Sequence, residues 1–193
     1  RGLGDVYKRQ DSWTFDNHLR LYDEDNLGYA GVADVNSPWG YQIAIEDGNW
    51  GDVYKLGEGD ANAGTLAFGT ENNIPAPDGG LYFFDVSLKA LTYKLTALGS
   101  EIYVAGLNKL EDETWTFEPL PAATTAGVFS GSITITQPSA WGFKIYLFDN
   151  NWDYVYGGNG GKLYYKGNGI TDDATLAPGT YTLTVDLIHA TYT

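Results

Sequence analysis

Short stretches in which apolar and polar residues alternate run through most of the chain. In the segment 181–187, Tyr-Thr-Leu-Thr-Val-Asp-Leu, every second residue is apolar, and the segment 129–135 follows the same rule. Residues 39–45 and 141–147 alternate as well, which predicts that Trp39 and Trp141 share a strand face with the apolar residues that follow them. Turn residues such as Asp-Gly-Asn and Pro-Gly separate these stretches, and no long segment has the 3.6-residue period of a helix. The pattern therefore predicts an all-β fold made of antiparallel β-sandwiches.

The same landmarks occur twice at a nearly constant spacing. Trp39–Ile43 corresponds to Trp141–Ile145, and Asp47–Trp50 corresponds to Asp149–Trp152, both at an offset of 102 residues. A repeat of about a hundred residues has the size of one small sandwich domain. We therefore predict two tandem modules, each an Ig-like or carbohydrate-binding-module-like β-sandwich.

The first ten residues, 1–10, contain a Gly-Asp-Val-Tyr-Lys sequence that the spacing of the repeat does not relate to its second copy further along the chain. Their sequence Asp-Val-Tyr-Lys-Arg-Gln resembles a translation of the transposase mosaic end used in preparing sequencing libraries, which implies a non-native segment. The alternative is a native start, which the recurrence of Gly-Asp-Val-Tyr-Lys at Gly51–Lys55 favours. We predict the first module over 11–97 and the second over 98–193. The second opens with an apolar stretch at 102–105 whose counterpart falls on the start of the chain, so the first module is predicted to lack its first strand.

Charge and composition exclude several classes of function. The chain has 25 acidic residues against 11 basic ones, a net charge of −14, whereas a nucleic-acid-binding protein needs a basic face. It has no cysteine, which rules out disulfides, thiol catalysis and iron–sulfur clusters, and its two histidines are too few for a histidine-rich metal site. Acidic runs such as 23–25 and 111–113 do not follow the EF-hand pattern and are interpreted as solvated loops. We predict neither a metal nor a cofactor.

Two tryptophans, Trp50 and Trp152, follow turn tripeptides at the ends of predicted strands. Sugar rings have apolar C–H faces that stack on flat aromatic rings, while amides and charged groups bind their hydroxyls. Such a platform is predicted in each module from residues of these two types: Trp152, Tyr154, Lys144 and Asn151 in the second, and Trp50, Tyr54 and Gln42 in the first. The alternative is that both tryptophans are packing anchors and that Lys144 is an ordinary solvated strand residue. The other repeated tryptophans, Trp13, Trp39, Trp115 and Trp141, are predicted to lie in the core.

The segment 141–193 resembles the C-terminal module of outer-membrane starch-binding lipoproteins of the SusE/SusF type from Bacteroidota. The aromatic–lysine strand, the Asn-Trp turn, the Asn-Gly-Ile-Thr segment and the final Pro-Gly-Thr-Tyr-Thr-Leu-Thr-Val-Asp-Leu strand carry the likeness. The resemblance implies non-catalytic tandem modules that bind α-glucan at the cell surface, held by an N-terminal lipid anchor and associated with an outer-membrane glycan transporter. It assigns the main binding roles to Trp152 and Lys144, with Tyr154 or Tyr156 as a second platform. In the first module Gln42 departs from the basic position of the family.

Two other functions stay open at this point. The chain is also consistent with a structural or adhesive surface protein whose sandwiches only space other modules, and burial of Trp50 and Trp152 would support that hypothesis. A glycoside hydrolase fragment would need two carboxyl groups facing each other across a cleft, about 5–10 Å apart. No acidic residue of the sequence lies in a motif that indicates this arrangement, so we do not predict an enzyme.

Overall fold

The structure is a computed structural model. It describes the backbone of residues 8–10, 12–14, 17–69 and 71–193, and the side chains of residues 17–69 and 71–193. The chain divides into two compact units, Arg1–Ala97 (unit 1) and Leu98–Thr193 (unit 2). Both consist of antiparallel strands, and the helical content of the described residues is one 3₁₀ turn at Asp172–Thr175. The predicted all-β class with two tandem modules is confirmed.

Unit 1 has nine strands within its described residues. They are β1 (Lys8–Gln10), β2 (Ser12–Thr14), β3 (Arg20–Asp23), β4 (Gly28–Val35), β5 (Ile43–Ala44), β6 (Val53–Gly59), β7 (Ala63–Phe68), β8 (Gly80–Ser87) and β9 (Thr92–Ala97). β1 and β2 pair with each other as a separate hairpin, and the other seven form one sheet in the order β3-β4-β8-β9-β7-β6-β5.

Unit 2 has eight strands. They are β10 (Glu101–Ala105), β11 (Phe117–Pro121), β12 (Val128–Ile135), β13 (Lys144–Tyr146), β14 (Val155–Asn159), β15 (Lys162–Tyr165), β16 (Gly179–Asp186) and β17 (Thr191–Tyr192). The sheet order is β11-β10-β13-β14-β15-β17-β16-β12. A bridge between Ala122 and Phe129 joins the two ends of this order, so the sheet closes on itself.

The alternation in the sequence explains the longest ladder of unit 2. β12 and β16 pair over eight residues, and their inward side chains, such as Phe129 and Val185, are fully buried. On the opposite face Ser130 and Thr184 join their hydroxyls at 3.0 Å. β4 and β8 form the corresponding eight-residue ladder in unit 1. In unit 2, therefore, the period-2 pattern sets which face forms the core. In unit 1, β4 buries the four consecutive residues 30–33, so both of its faces are covered there.

The two units differ at one sheet edge. In unit 2, β13 is paired on one side with β14 and on the other with β10. Its counterpart in unit 1, β5, pairs with β6, and no strand within the described residues fills the position that β10 takes. This is the position at which the sequence predicts a missing strand.

Candidate functional site

Unit 2 buries apolar side chains on both faces of part of its sheet. Val104 and Ile145 are register partners and point into the core, whereas the next pair, Tyr103 and Tyr146, points to the outer face. On that outer face Ala105, Tyr146 and Val155 are buried under partly buried aromatic side chains from β10, β11 and the loop before β11. The sheet therefore carries a second, external aromatic cluster besides its core.

Trp152 lies at the centre of this external cluster. Its ring meets those of Trp115, Tyr146 and Phe117 edge to face, with centroids 5.2, 5.3 and 5.7 Å away. Edge-to-face pairs of this kind stabilise a fixed ring orientation. Yet Trp152 is 49% exposed. The three rings thus hold one side of the indole, and the rest of its surface is exposed to solvent.

Trp115 is held in turn by the loop that follows β10. Gly106 has a φ of +96°, and a Cβ placed on it would lie 2.5 Å from the Trp115 ring, so only glycine leaves room for the indole. The ammonium group of the buried Lys109 lies 5.3 Å from the Trp115 ring centre and donates a hydrogen bond to the Leu110 carbonyl at 2.9 Å. Trp115 is half-buried and supports Trp152.

The prediction that Trp141 lies on a buried strand face is wrong. Gly142 has a φ of +72°, and its backbone packs so tightly on Ile170 that a Cβ would come within 2.5 Å of the Ile170 carbonyl oxygen. The chain therefore bends before β13 starts, and Trp141 stays outside the sheet with 61% of its surface exposed. Phe143, directly after the bend, is buried and pairs with Ile170.

Unit 1 repeats this bend, and the core prediction fails there for the same reason. Gly40 has a φ of +81° and packs on Ile74, and Trp39 is 62% exposed. The corresponding prediction for Trp13 falls on a side chain outside the described ones.

Trp141 and Trp152 line one groove of about 660 Å³ on the outer face of unit 2. The groove is also lined by Trp115 and Tyr146, and by three polar residues, Lys144, Asn168 and Thr171. The Lys144 ammonium makes no hydrogen bond or ion pair with any described residue, and no Asp or Glu of the described chain lines the groove. An aromatic surface with unpaired polar groups is the composition of a small-molecule or sugar site.

Burial shifts the acidity of one groove residue. The Tyr146 side chain is fully buried, and its hydroxyl has no hydrogen-bond partner in the described chain. Desolvation raises the pKa of Tyr146 to about 12. Tyr146 is therefore a neutral phenol that forms the apolar floor of the groove.

Two of the residues predicted for the site of unit 2, Trp152 and Lys144, are brought together in the groove. Tyr154 is not among the groove-lining residues, and its ring packs against Phe148 at 5.0 Å. Asn151 uses its side-chain oxygen to accept the N–H of Asp153 at 3.0 Å, which shapes the turn. A platform role for Tyr156 is contradicted, because this residue is 3% exposed and faces the core as the register partner of Ile145.

The three residues predicted for the site of unit 1 differ in their exposure to solvent. Trp50 is 46% exposed, close to its counterpart in unit 2. Tyr54 is half-buried with its ring 5.5 Å from that of Phe68. Gln42 is buried and donates a hydrogen bond to Asn73 at 2.6 Å, so the prediction that it faces a ligand is wrong. Asn73 donates in turn to the Trp39 carbonyl at 3.1 Å, which makes Gln42 part of the support of the Trp39 bend.

Five groove residues with aromatic or polar side chains are not predicted as binding residues from the sequence: Trp141, Trp115, Tyr146, Asn168 and Thr171. For Trp141 the sequence does contain a signal of the bend, because a Trp-Gly pair occurs at the same register position in both repeats. Glycine after a tryptophan in a predicted strand indicates a bend rather than continuation.

Within the described residues there is no group of three or more acidic or histidine side chains able to hold a metal ion. Nor does that part of the chain contain a helix with the length and apolar character of a membrane span.

Comparison with known proteins gives one family and one structure. The family model described as "Domain of unknown function (DUF8037)" matches residues 1–97. That match includes the segment 1–10; its non-native origin stays a prediction, and residues 1–7 lie outside the described ones. No curated protein matches the chain. Among solved structures it is similar to SusF from Bacteroides thetaiotaomicron, at 16% identity and a TM-score of 0.32, over 91% of this chain and 43% of that chain. The chain thus spans less than half the length of that protein.

Proposed function

The chain belongs to the family described as Domain of unknown function (DUF8037), and from the geometry of unit 2 we propose that it binds a polysaccharide in the groove of Trp141 and Trp152 without cleaving it. The observation that carries the proposal is the pairing of two exposed indoles, of which Trp152 is held by three rings, with an ammonium group that has no partner in the described chain.

The two indoles supply the apolar part of the binding energy. Exposing a tryptophan is unfavourable, and covering about 100 Å² of ring surface contributes about 2.5 kcal/mol. Trp152 already rests on three rings, so little ordering cost is left for the ligand. Lys144 and Asn168 supply donors for sugar hydroxyls at the same groove.

The choice of glycan rests on sequence and charge. The SusE/SusF-like segment 141–193 implies α-glucan, and the net charge of −14 favours a neutral ligand over an anionic one. Display at the outer-membrane surface beside a glycan transporter belongs to the same proposal. The exposure of Trp50 and Trp152 argues against a purely structural spacer. The absence of carboxylates from the described lining of the groove argues against two-carboxylate hydrolysis there.

Calorimetric titration of the whole chain with maltoheptaose, and with cello- and xylo-oligosaccharides of similar length, tests the proposal. We expect saturable binding of maltoheptaose and a loss of affinity of tenfold or more in Trp152→Ala, in keeping with about 2.5 kcal/mol per covered indole. Trp50→Ala, which removes a tryptophan of similar exposure from unit 1, is the matched control and should keep the unit 2 site. A folded protein that binds none of these glycans would contradict the proposal.

A further inference from the structure

Asp173 has a buried carboxyl group and follows the groove residue Thr171 by two positions in the chain. It lies in the 3₁₀ turn and is 1% exposed. Its Oδ2 accepts two hydrogen bonds from Ser139, one from the backbone N–H at 2.8 Å and one from the hydroxyl at 2.7 Å. Its Oδ1 is buried without a partner in the described chain.

This carboxyl group cannot be explained by its contribution to stability. Burying a polar atom without a hydrogen bond costs free energy that an apolar side chain of similar size would not. Both hydrogen bonds that the Asp173 carboxyl group accepts come from Ser139. We therefore interpret the carboxyl group as a group that holds Ser139 in place.

Ser139 begins the bend that presents Trp141, which we define as residues 139–142 and call the Trp141 corner. The next residue, Ala140, donates its N–H to the Lys109 carbonyl at 2.8 Å. The far end is fixed by Gly142, whose backbone packs on Ile170. The indole of Trp141 itself is largely exposed, so these backbone anchors, with Asp173 as the first, determine where it stands.

Unit 1 provides an internal comparison. Ser37 holds the position of Ser139, but its hydroxyl accepts the N–H of Trp39 at 3.3 Å. The residue three positions after the paired isoleucine is Asp173 in unit 2 and Pro77 in unit 1. The corner of unit 1 therefore has no carboxyl group at this place.

We propose that Asp173 is a positioning residue: by binding Ser139 it fixes the Trp141 corner, so that the indole already has its binding position before a glycan arrives. This inference rests on the proposed function. Pre-organisation of one aromatic side chain and its loop is worth about three- to tenfold in affinity.

The test uses the whole chain with ¹⁵N-labelled tryptophan indoles, in the variants Asp173→Ala, Asp173→Asn and Asp172→Ala. Asparagine keeps an acceptor oxygen for Ser139, whereas alanine removes it. Asp172 is the matched control, because it lies in the same turn but accepts from Tyr192 rather than from Ser139. We expect Asp173→Ala to shift or broaden the Trp141 indole signal without glycan and to lower maltoheptaose affinity about three- to tenfold. Asp173→Asn and Asp172→Ala should resemble the wild type in both measurements.

The inference is overturned if the Trp141 signal of a folded Asp173→Ala protein is unchanged, or if Asp172→Ala has the same effects. If Asp173→Ala does not fold, Ser139→Ala, which removes only the hydroxyl bond, decides the question by the same signal. If the wild type binds no glycan, the proposed function fails, while the indole signal still decides whether Asp173 positions Trp141.

Discussion

Replacing Gly106 with alanine tests whether the aromatic platform depends on the close packing under Trp115. The new Cβ would lie 2.5 Å from the Trp115 ring and 2.9 Å from the Gly142 carbonyl oxygen, at a φ of +96°. Ordinary contact begins at 3.4 Å, so the ring has to retreat by about 0.9 Å. The left-handed backbone costs about 1–2 kcal/mol for a non-glycine residue, and displacing a packed ring adds about 1–3 kcal/mol. We expect the free energy of unfolding to fall by about 2–5 kcal/mol, the sum of the two costs.

Gly160→Ala is the matched control for this variant. Gly160 also has a positive φ, +53°, but a Cβ there would meet nothing within 4 Å, so only the backbone cost of about 1–2 kcal/mol applies. Urea denaturation followed by tryptophan fluorescence measures both variants in the whole chain. Since Trp152 rests on Trp115, glycan affinity should also fall in Gly106→Ala and stay unchanged in Gly160→Ala. Equal stability of the two variants, or full glycan affinity in Gly106→Ala, would refute the reasoning.

Three further variants probe the groove and its counterpart. Tyr146→Phe removes a buried hydroxyl without a partner in the described chain, so urea denaturation should show unchanged stability or a gain of about 1 kcal/mol, and a clear loss would contradict this. Because burial raises the pKa of Tyr146 to about 12, its neutral form contributes stability that is complete below pH 10 and is lost as the pH rises to 12; the phenylalanine variant should lose less stability over this range. Lys144→Met should lower maltoheptaose affinity about tenfold in calorimetry while the fold is kept, because it removes the unpaired ammonium and little packing. Gln42→Lys should destabilise the chain by about 1–3 kcal/mol, since it buries a charge at the hydrogen bond to Asn73, and an increase in glycan affinity would count against this interpretation.

The strands of the long ladder of unit 2 follow from sequence, because alternation of apolar and polar residues is a local property. β12 and β16 lie where the alternating segments 129–135 and 181–187 predict them. The position of Trp141 does not follow from this rule. The apolar alternation continues through it, and only the left-handed conformation of Gly142 turns the indole outward.

The burial of both sheet faces is the other feature that alternation does not reveal. Ile145 and Tyr146 are neighbours in β13 and are both fully buried, the first in the core and the second under the external aromatic cluster. A period-2 pattern of apolar and polar residues is expected of a sheet with one face in the core and the other exposed to solvent. The rings that cover Tyr146 come from β11 and from the turn before β14, and their meeting depends on strand pairing over long distances in the chain. The sequence therefore indicates Trp152 as a binding residue but does not indicate the rings that support it.

The pairing of β12 with β16 also affects the order in which the groove residues come together during folding. Ile135 pairs with Gly179, 44 residues further along the chain. Pairing over such separations delays folding, because the entropy of closing the loop must be overcome before the ladder stabilises it, and sheets of this kind fold in milliseconds to seconds. Asn168, Thr171 and Asp173 all lie inside that loop. A ribosome-bound chain that has emerged only as far as β15 therefore carries all the tryptophans but still lacks Asn168, Thr171 and Asp173, so the groove is completed in the last stage of folding.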